Sequence, residues 1–569
     1  MKTYNTMLLA DFYKISHRQM YPEGCELVYS TWTPRASRME GVTEVVHFGV
    51  QQFIKKYLIT YFNENFFNKS KKHIIEDYKR IIKNTLGVQE PETKHIEELW
   101  DLKYLPLSIK SLSEGSKVPL RTPVMTVQNT NPKFFWLTNF IESLASCELW
   151  QSSTSATIAY QYRKLLDEYS METVGNTDFV QFQGHDFSMR GMSSLDSAVS
   201  SGMGHLLSFV GTDTIPAIQG AEHYYNANVE KELIGTSIPA TEHSIQCTYQ
   251  DDMKYLETML TKVHPNGFVS IVSDGYDFWN VIESVLPALK DKIMARKGGP
   301  VGDRVVIRPD SGDPVKIVCG DPTAPVGSLQ YKGAVEALYD IFGGTVTPMG
   351  YKLLDSHIGL IYGDAITLKR AEEISARLKN KGFASINCVY GIGSFTYQYN
   401  TRDTFGYALK STLAVINGDE KMIFKDPKTD DGTKRSQKGK VCVYKYTDNS
   451  IAWSDGLSLN NQKKNDLLQE VFRDGKLLVD ENFSTIRERL KNGQNQSHYY
   501  TNGDDKGRCP QCYGNNVTCI GSLNVNGTSH DVQNCTTCNR LFTGANGGIQ
   551  SLINEAQIQY NTQIDKINE

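Results

Sequence analysis

The chain has 569 residues, 40% of them hydrophobic and 22% charged, and its 60 Lys and Arg against 64 Asp and Glu give a formal charge of -4. That composition excludes the disordered, collagen-like and membrane-spanning classes, the length asks for roughly two or three domains, and the charge balance offers no basic field to a nucleic-acid backbone. The opening MKTYNTMLLADFYK has too short an apolar run for a signal peptide, and nowhere do roughly 18 apolar residues run together, so a cytoplasmic protein with no membrane partner is expected.

Residues 1–150 mix helical patterns, at Glu44 to Tyr57 and Phe134 to Trp150, with short β-like runs. From 151 to 400 short apolar runs alternate with longer amphipathic stretches, the mark of repeated βα units around a parallel sheet, with a barrel as the economical closure. The expected strands are FVQFQ before GHDFSMRG, FVSIVS before DGYDFW, RVVI before RPDSGDP, GLIY before GDAI, and INCVY before GIGSF. Phe278 to Arg296, Lys332 to Phe342 and Leu368 to Leu378 are expected as helices over that sheet. Residues 401–490 leave the βα pattern and are expected to complete the flanking domain begun by 1–150. Residues 491–505 are Asn-, Gly- and Gln-rich and linker-like, and 506–569 form a separate module.

In such a barrel the functional groups collect at the carboxyl ends of the strands, and the charged strings lie there. GHDFSMRG supplies Asp186, Phe187 and Arg190, and GTDT supplies Asp213. An aromatic face can stack on a planar ring and a carboxylate can accept a carboxamide NH2, although Phe187 could equally be core and Asp213 a turn or cap. SIPATEHSI sets Glu242 beside His243, a base or nucleophile with an orienting carboxylate, or a structural pair. VIRPDSGDP places Arg308, Asp310 and Asp313 around Ser311 and Gly312, suited to phosphate, ribose hydroxyls or hydrated magnesium, or an ordinary Asp/Gly turn. Gly363 and Asp364, then Gly391, Gly393 and Ser394, could bare amides to a phosphate or form plain turns.

Taken in order, ADFYK, FGVQ, GHDFSMRG, GTDT, PATEHS, SDGYDFW, VIRPDSGDP, GDAI, GIGS, TRD and FKDP resemble the nicotinamide phosphoribosyltransferase family over roughly residues 5–485. The resemblance implies an α/β fold: an irregular parallel α/β barrel of the type II phosphoribosyltransferase kind with a flanking α+β domain, working as a homodimer with shared sites. It implies nicotinamide, phosphoribosyl pyrophosphate and ATP as substrates, with magnesium. His243 would accept a phosphoryl group from ATP, with Glu242 and Asp274 in support. Phe187 and the partner subunit's Tyr13, in ADFYK with Asp11, would sandwich the pyridine ring. Asp213 would take the carboxamide, Arg308 would lie beside ring and ribose, and Asp310 would face the ribose hydroxyls. Gly363, Asp364, Gly391 and Gly393 would line the phosphate end and Arg190 would meet phosphates, with Arg402 and Lys410 supplied by the partner. Two departures from the family pattern, Ile392 with Ser394 in VYGIGSF and Ala408 in place of a serine, weaken the phosphate loop. The alternatives are a nicotinate phosphoribosyltransferase, which Asp213 opposes, or a catalytically silent pyridine-nucleotide sensor.

Eleven cysteines include six scattered singly, Cys25, Cys147, Cys247, Cys319, Cys388 and Cys442, expected as reduced core thiols. Five crowd near the C-terminus, where Cys509-Pro-Gln-Cys512 and Cys535-Thr-Thr-Cys538 stand 22 residues apart with Cys519 as a spare. That spacing suits a zinc ribbon holding one structural zinc, with two disulfides or free thiols as the alternative. Residues 503–569 carry four Lys and Arg against six Asp and Glu, which makes nucleic acid unlikely as its partner. Ile549, Leu552, Ile553, Ala556, Tyr560, Ile564 and Ile567 then mark an amphipathic C-terminal helix.

Overall fold

The computed structural model describes residues 3–299, 302–425, 436–446, 450–461 and 463–493, and the backbone of 517–525, 528–535 and 540–543. Two compact units emerge: Leu149–Thr401 with Glu481–Arg487, and Met1–Glu148 with Arg402–Asp480 and the described residues from Glu488 on.

The first of these is built on a six-stranded parallel sheet in the order Gly211–Thr212, Gly184–Asp186, Cys388–Ile392, Ile358–Tyr362, Arg304–Arg308, Phe268–Val272. Its two edges meet one segment: Thr236 bridges Gly211 and Ala240 bridges Ser270, both in parallel sense. Residues 236–240 therefore close the sheet into an irregular barrel without forming a full strand. Val269, Ile271, Val305, Ile307 and Leu360 are buried, as β-branched and Leu side chains between a sheet and its helices must be. The helix Leu368–Asn380 buries Ala371, Ile374, Ser375 and Leu378, one face at helical spacing.

Four of the five expected strands form where the apolar runs lie. FVQFQ does not: Val180–Gln183 is a helical turn and the strand begins at Gly184. The reason is Gln183, fully buried with its amide donating to Ser385 O and Cys388 O. Gly184 then admits the ring of Phe209, which a Cβ would meet at 2.8 Å.

The other unit carries a seven-stranded antiparallel sheet, ordered Asp419–Met422, Ala408–Ile416, Cys25–Thr33, Met125–Asn129, Leu107–Ser111, Gln469–Arg473, Lys476–Leu477. Residues from both ends of the chain thus interleave in one sheet, and Trp32 stacks on Tyr407 at 5.3 Å. The helix expected from Glu44 starts later. Glu44–Val46 pairs with Lys117–Pro119 as a strand, Gly49 turns with φ 106°, and the helix begins at Val50, its entry held by Glu114, which accepts from Gly49 N and Gln51 N. β-branched valines favour the strand, and a left-handed glycine stops helix from propagating back through them. Phe134 to Trp150 is helical at Phe135–Phe140 and again in the long helix Glu142–Thr173.

Cys25, Cys319, Cys388 and Cys442 are buried free thiols, but Cys147 is exposed and Cys247 half-buried, so the expectation of six core thiols fails for these two. Val517–Val525, Thr528–Cys535 and Arg540–Thr543 form a three-stranded antiparallel sheet. Cys509, Cys512, Cys538 and the helix expected after 549 lie outside the described residues. Among the described residues no helix is long and apolar enough to cross a membrane.

Candidate active site

The carboxyl ends of the barrel strands bring one group of side chains together. Phe187 follows the strand Gly184–Asp186, and its amide donates to Ile392 O at 3.0 Å, so the backbone of the neighbouring strand fixes where its ring stands. One glycine makes room for that ring and a second for the Asp310 carboxylate beside it. A Cβ on Gly391 would lie 2.5 Å from Phe187 Cδ2, and one on Gly363 would lie 3.4 Å from Phe187 Cε2, 2.7 Å from Asp310 Oδ1 and 3.7 Å from Arg308 Cδ. Phe187, Arg308 and Asp310 therefore converge beside Gly363. At Gly391 the missing side chain serves close packing against an aromatic ring and at Gly363 against the Asp310 carboxylate; Gly393 has nothing within 4 Å of its Cβ position.

Arg308 ends its strand with Nε buried and lacking a hydrogen-bond partner among the described residues. An orphan guanidinium N–H beside an aromatic face is a donor waiting for a ligand oxygen. Burial pushes the Asp310 carboxyl up, and the charges of Asp274 and Asp364 add to this against the pull of Arg308. Asp364 is exposed at the next strand end.

Asp213 sits after the edge strand Gly211–Thr212. It accepts from His185 Nε2 at 2.8 Å and from Ser237 Oγ at 2.6 Å. Burial pushes its carboxyl up, but those two hydrogen bonds and the charges of His185 and Arg308 outweigh it, holding Asp213 below the usual carboxylate range. It is an anion with nearly half its side chain open. Asp186 takes the opposite side of its strand, fully buried with Oδ1 accepting from Ser188 N, so it belongs to the support and not to the pocket. Arg190 lies exposed on the following turn, Met189–Gly191.

His243 opens the helix His243–Tyr249. Its Nε2 lies 3.0 Å from Asp274 Oδ1, with the His side chain 43% exposed and Asp274 4%. Asp274 Oδ2 accepts from Asp310 N at 2.8 Å, so one carboxylate ties the histidine to the RPDSGDP loop. Burial raises the Asp274 pKa, yet the bonds from Ser311, Asp310 N and His243 bring it below the ordinary value. Glu242 is engaged by Ser244 Oγ. Among the described residues His243 bonds Asp274 alone, so any help from Glu242 is through charge.

The remaining expected residues belong to the other unit. Asp11 accepts from Ser143 Oγ, and Lys14 bonds Asn139 and Glu142. Tyr13, 56% exposed, packs edge-on against His17 and beneath the Lys14 ammonium. Lys410 Nζ stands 3.7 Å from Glu142 Oε1. Asp11, Tyr13 and Lys410 thus gather around the start of the helix Glu142–Thr173. Arg402 lies 3.8 Å from Asp403 Oδ1, and Arg38 4.0 Å from its Oδ2. Burial, then the charges of Arg402 and Arg121, lower the Arg35 pKa, with Asp403 opposing. Arg35, Arg38 and Arg121 around the expected Arg402 were not foreseen, nor were His185 and Ser237. His185 could have been found from strand alternation, which puts it on the face of Phe187. Among the described residues no three of His, Cys, Asp or Glu converge to hold a metal.

Family models match at two places: the nicotinate phosphoribosyltransferase (NAPRTase) family over residues 182–476, and the N-terminal domain of nicotinamide phosphoribosyltransferase over residues 5–91. The nicotinamide phosphoribosyltransferase of Acinetobacter baylyi is 48% identical over 494 residues, which is 85% of this chain and 97% of that one. The Mycoplasma pneumoniae enzyme of the same name is 33% identical over 76% of this chain and 94% of its own. Among solved structures, nicotinate-nucleotide pyrophosphorylase of Pyrococcus furiosus aligns at TM-score 0.53 and 14% identity, over 87% of this chain and 99% of that one. Human nicotinic acid phosphoribosyltransferase aligns at TM-score 0.50 and 12% identity, over 87% and 94%. At these identities the two structures speak for the fold alone.

Proposed function

The chain belongs to the nicotinamide phosphoribosyltransferase family, and from that premise we propose that it joins nicotinamide to phosphoribosyl pyrophosphate, releasing nicotinamide mononucleotide and pyrophosphate in NAD salvage. The observation that carries this reading is the convergence of Phe187, Arg308 and Asp310 beside Gly363, with the anionic Asp213 close enough to Arg308 to feel its charge. Phe187 stacks on the pyridine ring, Asp213 accepts its carboxamide N–H, and the ring nitrogen is so aimed at C1 of the ribose. The orphan Nε–H of Arg308 donates to a substrate oxygen, and Asp310 accepts a ribose hydroxyl. The bond from C1 to pyrophosphate breaks as that from C1 to nitrogen forms. Asp310 and Asp364, whose like charges raise the Asp310 pKa, would hold a hydrated magnesium ion, which would supply positive charge to offset that of the departing pyrophosphate.

ATP is the co-substrate in this reading. Its γ-phosphoryl passes to the His243 nitrogen turned away from Asp274 and later to water. The open imidazole and the bond from Asp274 to Asp310 N support a link between phosphorylation and the phosphoribosyl loop. Tyr13, Arg402 and Lys410 serve the site of a second subunit in a homodimer, and the clustering of Arg35, Arg38 and Arg402 supports an anionic ligand at that face. The buried free thiols favour the reducing cytoplasm. Given equal nicotinamide and nicotinate, product chromatography is expected to show nicotinamide mononucleotide in large excess. A dominant nicotinate product would move the assignment to the acid-using enzymes.

The cysteine-rich module holds a structural zinc in this reading. The pairing of Val517 with Cys535, and of Cys535 with Arg540, puts the entry to the small sheet beside the end of the strand Thr528–Cys535. Cys509 and Cys512 precede that entry by only a few residues, as a four-thiolate site requires. Elemental analysis should find about one zinc per chain, lost in C509S/C512S with transfer largely retained. A chain purified without chelator and free of zinc would overturn it.

A further inference from the structure

Both hydrogen bonds on Asp213 end on one oxygen. His185 Nε2 reaches Oδ1 at 2.8 Å and Ser237 Oγ reaches the same atom at 2.6 Å, while no described residue bonds Oδ2. An ionised carboxylate only accepts, so His185 is the donor here, and the Asp213 side chain is 45% exposed. We propose that His185 is a positioning residue which, with Ser237, turns Asp213 so that Oδ2 alone faces the ring amide, and that this fixed geometry sets the preference for nicotinamide over nicotinate.

The surroundings hold the imidazole to this task. It is mostly covered, lies along the edge strand, and faces Gly211, where a Cβ would come within 2.8 Å of Nδ1 and 3.0 Å of Gly184 O. Only a glycine there lets the ring lie flat with Nε2 directed at Asp213. The same ring meets Phe187 at a centroid distance of 4.7 Å and 53°. One side chain thus aligns the acceptor of the amide and braces the face on which the pyridine stacks. An acceptor already held in place costs less ordering on binding. An ionised oxygen held at the amide also rejects a carboxylate in that position, by like charge and by loss of the only donor the ligand could offer.

The inference rests on the pyridine reading of the pocket, and its test reads binding and turnover separately. Nicotinamide and nicotinate binding are measured by titration calorimetry, and KM and kcat in parallel, for the wild type, His185→Ala and His185→Gln. Gln can return an N–H near the place of Nε2. His185→Ala should raise the nicotinamide Kd and KM about tenfold and narrow the preference over nicotinate by a similar factor, with kcat within about threefold. His185→Gln should recover most of the affinity and the preference. A preference unchanged in His185→Ala would overturn the proposal, and so would His185→Gln as impaired as His185→Ala, which would mean that the ring merely fills space. A wild type that forms no mononucleotide yet binds nicotinamide in this His185-dependent way would remove the transfer reaction and sustain the inference.

Discussion

His243→Ala is expected to give a folded protein that still makes nicotinamide mononucleotide but gains nothing from ATP. The side chain is 43% exposed, and Asp274 keeps its bonds to Asp310 N and Ser311, so the substitution opens no cavity and leaves no carboxylate stranded. What disappears is the nitrogen that receives the phosphoryl group, and with it any tightening of the Asp310 loop through Asp274. The loss in kcat/KM with ATP present should be on the order of 10- to 100-fold, the worth of one or two charge-assisted hydrogen bonds. Labelled γ-phosphate should appear in an acid-labile form on the wild type only. An alanine variant that still takes the label and responds to ATP would mean that the phosphoryl acceptor lies elsewhere.

Gly391→Ala is expected to damage the pocket through Phe187. The added methyl would stand 2.5 Å from Phe187 Cδ2 and 2.7 Å from Gly363 Cα, and neither can retreat freely: the one is held through its amide on Ile392 O, the other is backbone. Overpacking of this kind costs about 1–3 kcal/mol in stability. Because the ring that stacks on the substrate must tilt, kcat/KM should fall by roughly 100-fold. A double-mutant cycle with Phe187→Ala isolates the contact, since the stability cost of Gly391→Ala should largely vanish when the ring is absent. A cost that persists without Phe187, or full activity in Gly391→Ala, would show that this glycine serves another purpose.

That glycine also marks where the sequence stops being legible. VYGIGSF and IYGDAI announce turns at strand ends, but a glycine that exposes an amide to phosphate and one that admits an aromatic ring look alike in a sequence. Only the structure adds that Gly391 admits the ring of Phe187. The barrel could be read from period and length, because RVVI, GLIY and FVSIVS are buried on both faces and show it as unbroken apolar runs. FVQFQ could not, since Gln183 finds its partners at Ser385 and Cys388, some 200 residues away. The pairing of His243 with Asp274 followed from family pattern, whereas the reach of Asp274 to Asp310 N is a tertiary contact that spacing does not encode. The bonds on Asp213 are of the same kind: His185, from the strand Gly184–Asp186, and Ser237, next to the bridge at Thr236, reach it from opposite sides of the Gly211–Thr212 edge.

The most direct measurement is product identification. The purified full chain, incubated with nicotinamide, phosphoribosyl pyrophosphate and magnesium, with and without ATP, should yield nicotinamide mononucleotide and pyrophosphate in equal amounts by mass spectrometry and phosphorus NMR, with more product when ATP is present. Absence of the mononucleotide under both conditions, from a chain shown to be folded, would contradict the assignment of this pocket to phosphoribosyl transfer.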